Sequence, residues 1–254
     1  MSWLDDMYKE AKKQQEPHVF MRMTELQYNR WKRKRPTYVV GADEVGYGAI
    51  AGPLYVCAVV ALHNWSISGL KDSKALCTKK GAIEEVAVKL YREARAGRIS
   101  YQLATVDPAR IDTLGPLTAV RKATCAALDA VTKDLQGSCL RVVDGTMLMP
   151  SDELSIPKAD TFIPQVMAAA VLAKQARDSF MKDMHEDYPD YGFITNVGYI
   201  SDKHVAALKR LGRCPLHRKS YKLKALGEKD DSRETTRTVG KGSREPTQGQ
   251  PASE

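Results

Sequence analysis

The chain has little with which to do thiol, redox or membrane chemistry. Its cysteines number five, an odd count, and no two stand in a C-x-x-C pair. That argues against a zinc knuckle and against a disulfide framework. Cys57 and Cys125 sit among apolar neighbours and read as core residues. Only five histidines occur, and no two have metal-ligand spacing. No apolar run approaches the roughly 20 residues of a membrane span. Met1 to Ala11 places Trp3, Leu4, Met7, Tyr8 and Ala11 at helical spacing among acids and lysines, without the continuous apolar core of a signal peptide. A reduced, cytoplasmic setting and no membrane partner are therefore expected, and a monomer.

What is present fits a soluble enzyme-sized domain. The 254 residues are 43% hydrophobic and 28% charged, with a net charge of +8. That length supports one substantial core, and the sign of the charge suits a polyanionic partner. Residues 1–37 read as a helical basic extension, with Arg30, Lys32, Arg33, Lys34 and Arg35 around Trp31. Such a cluster can track a phosphate backbone with the indole as a stacking platform, or it can be a solvated linker. Residues 226–254 are almost without apolar side chains and read as a disordered tail.

Between them, residues 38–225 alternate strand and helix signals. Tyr38 to Ala42, Leu54 to Leu62, Ile99 to Val106 and Leu140 to Val143 read as strands. Thr78 is placed to cap a helix with Ile83, Val86 and Leu90 on one face and Gly97 as its stop. Leu117, Val120, Leu128, Val131 and Leu135 stripe a second helix. Val166 to Met184 is apolar almost all round in its first half and should be buried. Ser201 is placed to cap a last helix that Gly212 ends. The alternation predicts an α/β core.

The chemistry-bearing residues are acids at element ends. Asp43 and Glu44 follow the first strand, in a loop region with Gly41, Gly46, Gly48 and Gly52. Acids there are costly unless something positive compensates them, and glycines beside them let a ligand backbone come close. Hard carboxylate oxygens with phosphate-sized room suggest Mg²⁺ or Mn²⁺ and a nucleic-acid substrate. Asp144 ends a short apolar strand before Gly145, and Asp160 precedes the buried helix. Singly, each has a plain reading as a turn or helix-start acid. Two-metal phosphodiester hydrolysis needs several carboxylates converging from different elements, and these four are so placed. Asp178, several turns along the same helix from Asp160, reads as a structural partner of Arg177.

In order, the segments YVVGADEVGYGAIAGP (38–53), KDSKAL (71–76), KADTFIPQVMAAAVLAKQARDSFM (158–181) and VGYISDKHVAALKRLGRCPLHRKSY (197–221) resemble the ribonuclease HII (type 2 ribonuclease H) family. The resemblance spans roughly residues 38–222. It implies a ribonuclease H-like mixed β-sheet with helices on both faces, a hairpin of three antiparallel strands being joined to parallel ones. It implies Asp43, Glu44, Asp144 and Asp160 as catalytic metal ligands for two Mg²⁺ or Mn²⁺ ions. It further implies Gly46, Tyr47, Gly48, Ser73, Lys74 and Tyr199 as substrate contacts, Tyr199 stacking beneath a sugar. His204 and His217 match family positions as well, and read as structural histidines. His217 with Arg218 and Lys219 could also approach phosphate. The implied activity is cleavage of the RNA strand of RNA–DNA hybrids, or of DNA containing ribonucleotides, leaving 3′-hydroxyl and 5′-phosphate ends.

Two departures bear on substrate choice. The family's Gly-Arg-Gly is Gly46-Tyr47-Gly48 here, which removes a guanidinium that tyrosine cannot replace. Gly115-Pro116 stands where the family usually has an asparagine. A ribonuclease H-like nuclease of altered substrate choice is therefore one alternative, and a non-catalytic hybrid-binding protein is another.

Overall fold

The computed structural model describes residues 36–70, 81–150 and 153–228. The basic extension as far as Arg35, the Ser73–Lys74 segment, Thr78 and the tail from 229 onward lie outside them. The chain divides after Tyr221 into two compact units. Within the second, Lys224–Leu226 is a single 3₁₀ turn, and Leu223 N–H donates to the Glu228 carboxylate at 2.8 Å.

The first unit is built on a hairpin. β1 (Tyr38–Val45) runs antiparallel to β2 (Leu54–Leu62), which pairs antiparallel with β3 (Ile99–Val106). β4 (Cys139–Asp144) and β5 (Leu154–Ile156) add in parallel on the other side of β1, for a sheet order β3-β2-β1-β4-β5. β2 is apolar throughout because both its faces are covered. Cys57, Val59 and Ala61 pack under α1 (Ala82–Arg95) and α4 (Pro164–Asp187). Leu54, Val56, Ala58 and Val60 pack under α3 (Pro116–Thr132). A strand with no solvent face shows no alternation.

β1 continues three residues past its expected end at Ala42, because β2 pairs with it as far as Val45↔Tyr55. Asp43 and Glu44 thus lie within the strand. Three elements have no counterpart in the sequence reading: β5, α2 (Pro108–Leu114) and the short helix that follows α4. α2 does carry a start signal: Asp107 accepts from Arg110 N–H at 2.8 Å, and Pro108 opens the helix. Gly115 ends α2 and begins α3 at φ 76°, ψ 149°, a conformation that side chains resist. Its backbone therefore has its own reason to be glycine. The helix expected after Thr78 begins after Gly81 instead. α5 (Phe193–Asn196) is a single turn. α6 (Asp202–Leu211) starts as expected, with Ser201 Oγ accepting from His204 N–H at 3.2 Å. Among the described residues no helix is long and apolar enough to cross a membrane.

The contact that locates the site is between β1 and the start of α4. A Cβ added to Gly41 would stand 2.3 Å from Val166 N and 2.4 Å from Gln165 C. Only glycine lets the helix backbone lie this close to the strand. Gly41→Ala is expected to destabilise the fold by about 1–3 kcal/mol through overpacking against backbone. Thermal denaturation checks this, and a variant melting with the wild type would show that α4 can shift freely.

Candidate active site

The four carboxylates come from three elements that meet at one end of the sheet. β1 and β4 pair in parallel up to Ala42↔Val143, so Asp43 and Asp144 are the next residues on adjacent strands. Adjacent strands run about 4.8 Å apart. Asp160 sits in a 3₁₀ turn (Ala159–Thr161) just before α4, and its N–H reaches Asp144 Oδ1 at 3.4 Å. Asp43 and Asp160 are buried, while Glu44 and Asp144 are partly exposed. Asp43 Oδ1 accepts from Glu44 N–H at 2.8 Å.

The arrangement stores like charge. Burial pushes the Asp43 carboxyl well above the usual carboxylate range, and Asp144, Glu44 and Asp160 push it in the same direction. The neighbouring charges that act on it most are all carboxylates. Among the described residues, no three His, Cys, Asp or Glu side chains already surround one point in ligating geometry. The carboxylates are clustered but not converged. As a donor set they still suit a hard divalent cation: every ligand atom offered is a carboxylate oxygen, and a cation relieves the mutual repulsion.

The β1–β2 loop, residues 46–53, lies beside these acids and is held from below by two buried arginines. Arg177, on α4, is 0% exposed. Its guanidinium donates to Pro53 O at 3.0 Å, Ala51 O at 3.1 Å and Val197 O at 2.8 Å. Arg218, also 0% exposed, donates to Gly52 O at 2.9 and 3.0 Å and to Tyr47 O at 2.9 Å. Neither matches its sequence reading. Arg177 is not paired with Asp178, which instead binds Lys174 at 2.6 Å. Arg218 does not face phosphate, because its fork is spent on the loop backbone. The signal for Arg177 was present, an arginine within a helix otherwise buried, but its acceptors lie 20 to 126 positions away.

The candidate substrate contacts divide by this bracing. A Cβ on Gly46 would meet Arg177 Nε at 2.2 Å, so Gly46 is glycine to admit the arginine. Gly48 has nothing within 4 Å of its Cβ position and is open to a ligand. Tyr47 is 41% exposed, with its carbonyl pinned by Arg218 and by Tyr221 OH at 2.6 Å. Tyr199 lies at the same loop: its OH accepts from Gly46 N–H at 3.2 Å, and the Arg177 guanidinium carbon lies 5.3 Å from its ring centre. Ser73 and Lys74 lie outside the described residues.

Comparison with known proteins follows the same residues. The sequence model of the ribonuclease HII family matches residues 40–224. Ribonuclease HII of Chloroherpeton thalassium is 34% identical over 206 residues, covering 78% of this chain and 96% of its own. That of Paracidovorax citrulli is 37% identical over 189 residues, covering 73% of this chain and 75% of its own. In structure, ribonuclease H2 of Pyrococcus horikoshii superposes with a TM-score of 0.58 at 23% identity, covering 75% of this chain and 95% of its own, a likeness of fold. With the mixed sheet, the acids at one end of it and the match across the whole described core, the chain belongs to the ribonuclease HII family and is a ribonuclease H-type endonuclease.

Proposed function

We propose that the enzyme hydrolyses the RNA strand of RNA–DNA hybrids with the help of divalent metal ions, and also cuts at ribonucleotides embedded in duplex DNA. One observation carries this reading: four carboxylates from β1, β4 and the turn before α4 gather beside a braced loop with an open glycine. A non-catalytic binder gains nothing from acids clustered against phosphate.

Asp43, Glu44, Asp144 and Asp160 would hold two Mg²⁺ or Mn²⁺ ions, which when bound activate water and stabilise the leaving oxygen. The water oxygen forms the new bond to phosphorus as the bond to the 3′ oxygen breaks. The products are a 3′-hydroxyl and a 5′-phosphate. The protein's own part is placement. Gly48 and the loop backbone approach the ribose, where a 2′-hydroxyl separates RNA from DNA. Gly46 N–H is engaged by Tyr199 OH, so a ribose hydroxyl entering there must share or displace that bond. The Tyr199 ring offers a stacking surface for a sugar. Ser73 and Lys74 are proposed as phosphate contacts.

Cleavage of matched duplexes carrying zero, one, four or all ribonucleotides, with Mg²⁺ and with Mn²⁺, tests the proposal. Failure to cut any ribonucleotide-containing duplex overturns it. The loop favours one refinement. Tyr47 lacks the guanidinium that would grip a phosphate, a loss of roughly 1–3 kcal/mol. Continuous hybrids offer many registers and a lone ribonucleotide one, so hybrids should be cut better. Because the Tyr47 side chain is exposed and its backbone pinned, Tyr47→Arg should leave the fold intact and raise single-ribonucleotide cleavage selectively. Equal efficiency on both substrates, with no gain in the variant, would refute this reading of the loop.

A further inference from the structure

We propose that His204 and His217 form a proton-ordered pair that positions Tyr199, and through it the engagement of nucleic acid. The inference rests on the reading of Tyr199 as a substrate contact.

Both imidazoles are buried, within a box that includes the Tyr191 and Phe193 rings. Packing alone would favour apolar side chains there, since every buried ring nitrogen needs a partner. Each has one. His204 Nδ1 lies 2.9 Å from Tyr199 O. A carbonyl can only accept, so His204 carries its proton on Nδ1. Its Nε2 lies 2.9 Å from His217 Nε2 and accepts from it. That leaves His217 Nδ1 as an acceptor, and Cys214 N–H donates to it at 3.0 Å. One proton order satisfies the whole row, and both rings are neutral in it.

The row ends on the residue whose placement matters. The turn before Tyr199 is strained: Val197, a β-branched residue, sits at φ 41°. Gly198, at φ 84°, accepts from Ile50 and Ala51 N–H at 2.9 and 3.1 Å. Tyr199 is thus held at its hydroxyl by Gly46, at its ring by Arg177 and at its carbonyl by His204. At the other end, His217 bridges to Ala51 in the loop and precedes Arg218, which grips Tyr47 and Gly52. The pair therefore ties the Tyr199 turn to the loop.

A further proton would break the order. On His204 Nε2 it would face the His217 N–H head-on; on His217 Nδ1 it would displace the Cys214 N–H and turn the ring to the Cys214 carbonyl at 3.3 Å instead. The titratable and charged groups around the pair are the Tyr191 phenol, the Cys214 thiol and the Arg213 guanidinium. Burial, then the second imidazole, hold His217 down at about 4, so the pair stays neutral until the solution is distinctly acid.

The test is affinity for a short fluorescent RNA–DNA hybrid, measured by anisotropy in EDTA so that no cleavage occurs. Tyr199→Ala and His204→Leu should each weaken binding by about tenfold, and the double variant no more than either alone. His204→Asn, whose amide can offer a donor near the Nδ1 position, should recover most of the loss. Wild-type affinity should fall more than that of Tyr199→Ala as the pH drops from about 5 to about 3.5, through the His217 value of about 4, and this arm decides the matter should His204→Leu not fold. Wild-type binding in a folded His204→Leu, additive losses in the double variant, or identical pH dependence in wild type and Tyr199→Ala would overturn the proposal. Unchanged binding by Tyr199→Ala would overturn the role of Tyr199 along with it, and hybrid cleavage by the wild type would then still stand.

Discussion

Asp144→Asn and Asp43→Asn are each expected to lower hybrid cleavage by about 10³-fold or more, equivalent to about 4 kcal/mol of transition-state stabilisation. Removing one negative charge from a cluster that would hold two cations disturbs both of them. The fold should survive. An asparagine at 43 keeps an oxygen for the Glu44 N–H that Asp43 Oδ1 accepts at 2.8 Å. It also removes a buried charge that burial and three neighbouring carboxylates disfavour. The melting temperature of Asp43→Asn in EDTA should therefore equal or exceed that of the wild type. Near wild-type turnover at saturating Mg²⁺ or Mn²⁺ in either variant would refute the assignment. A large drop in melting temperature would show that the acid is structural instead.

Arg177→Met should produce the largest loss of stability. The guanidinium satisfies three main-chain carbonyls, Pro53 O, Ala51 O and Val197 O, from one buried position. An apolar replacement strands those acceptors at roughly 1–3 kcal/mol each. Burial of the charge, which lowers the Arg177 pKa, is a cost that the variant escapes, so the net loss is smaller than the sum. A net loss of about 3 kcal/mol lowers the melting temperature by roughly 6–12 °C in a domain of this size. Arg177→Lys should recover little of it, because an ammonium cannot present the same planar fork. Activity should fall as well, since the arginine also lies against the Tyr199 ring. A Met variant that melts with the wild type and keeps its activity would mean that the loop holds its shape without the brace.

The strands and long helices were legible because their signals are local. The apolar run 54–62 and the alternation over 99–106 are both strands with those limits in the fold. Ser201 and Gly212 bound α6 as their side-chain and backbone preferences imply. α2 does not stand out in the sequence although Asp107-Pro108 marks its start, because its seven residues are too few to show a stripe like the one beginning at Leu117. β5 has three residues, too few for any period to show. β1 runs past its apolar stretch because pairing with β2 carries the strand through Asp43 and Glu44, whose polar side chains by themselves read as a loop.

Composition and motif order by themselves determined the family and the α/β class, and pointed to the four candidate acids, since these depend on residue type and on spacing along the chain. Tertiary structure alone decided what holds the site in shape. Arg177 reaches Ala51 across 126 positions, Arg218 reaches Gly52 across 166, and Gly46 meets Tyr199 across 153. No periodicity connects such residues, and an arginine reads as a solvent-facing cation until its carbonyl partners are seen. The same holds for His204 and His217. Their ring nitrogens acquire fixed donor and acceptor roles only when folding buries them and sets a carbonyl, which has no proton to give, at one end of the row.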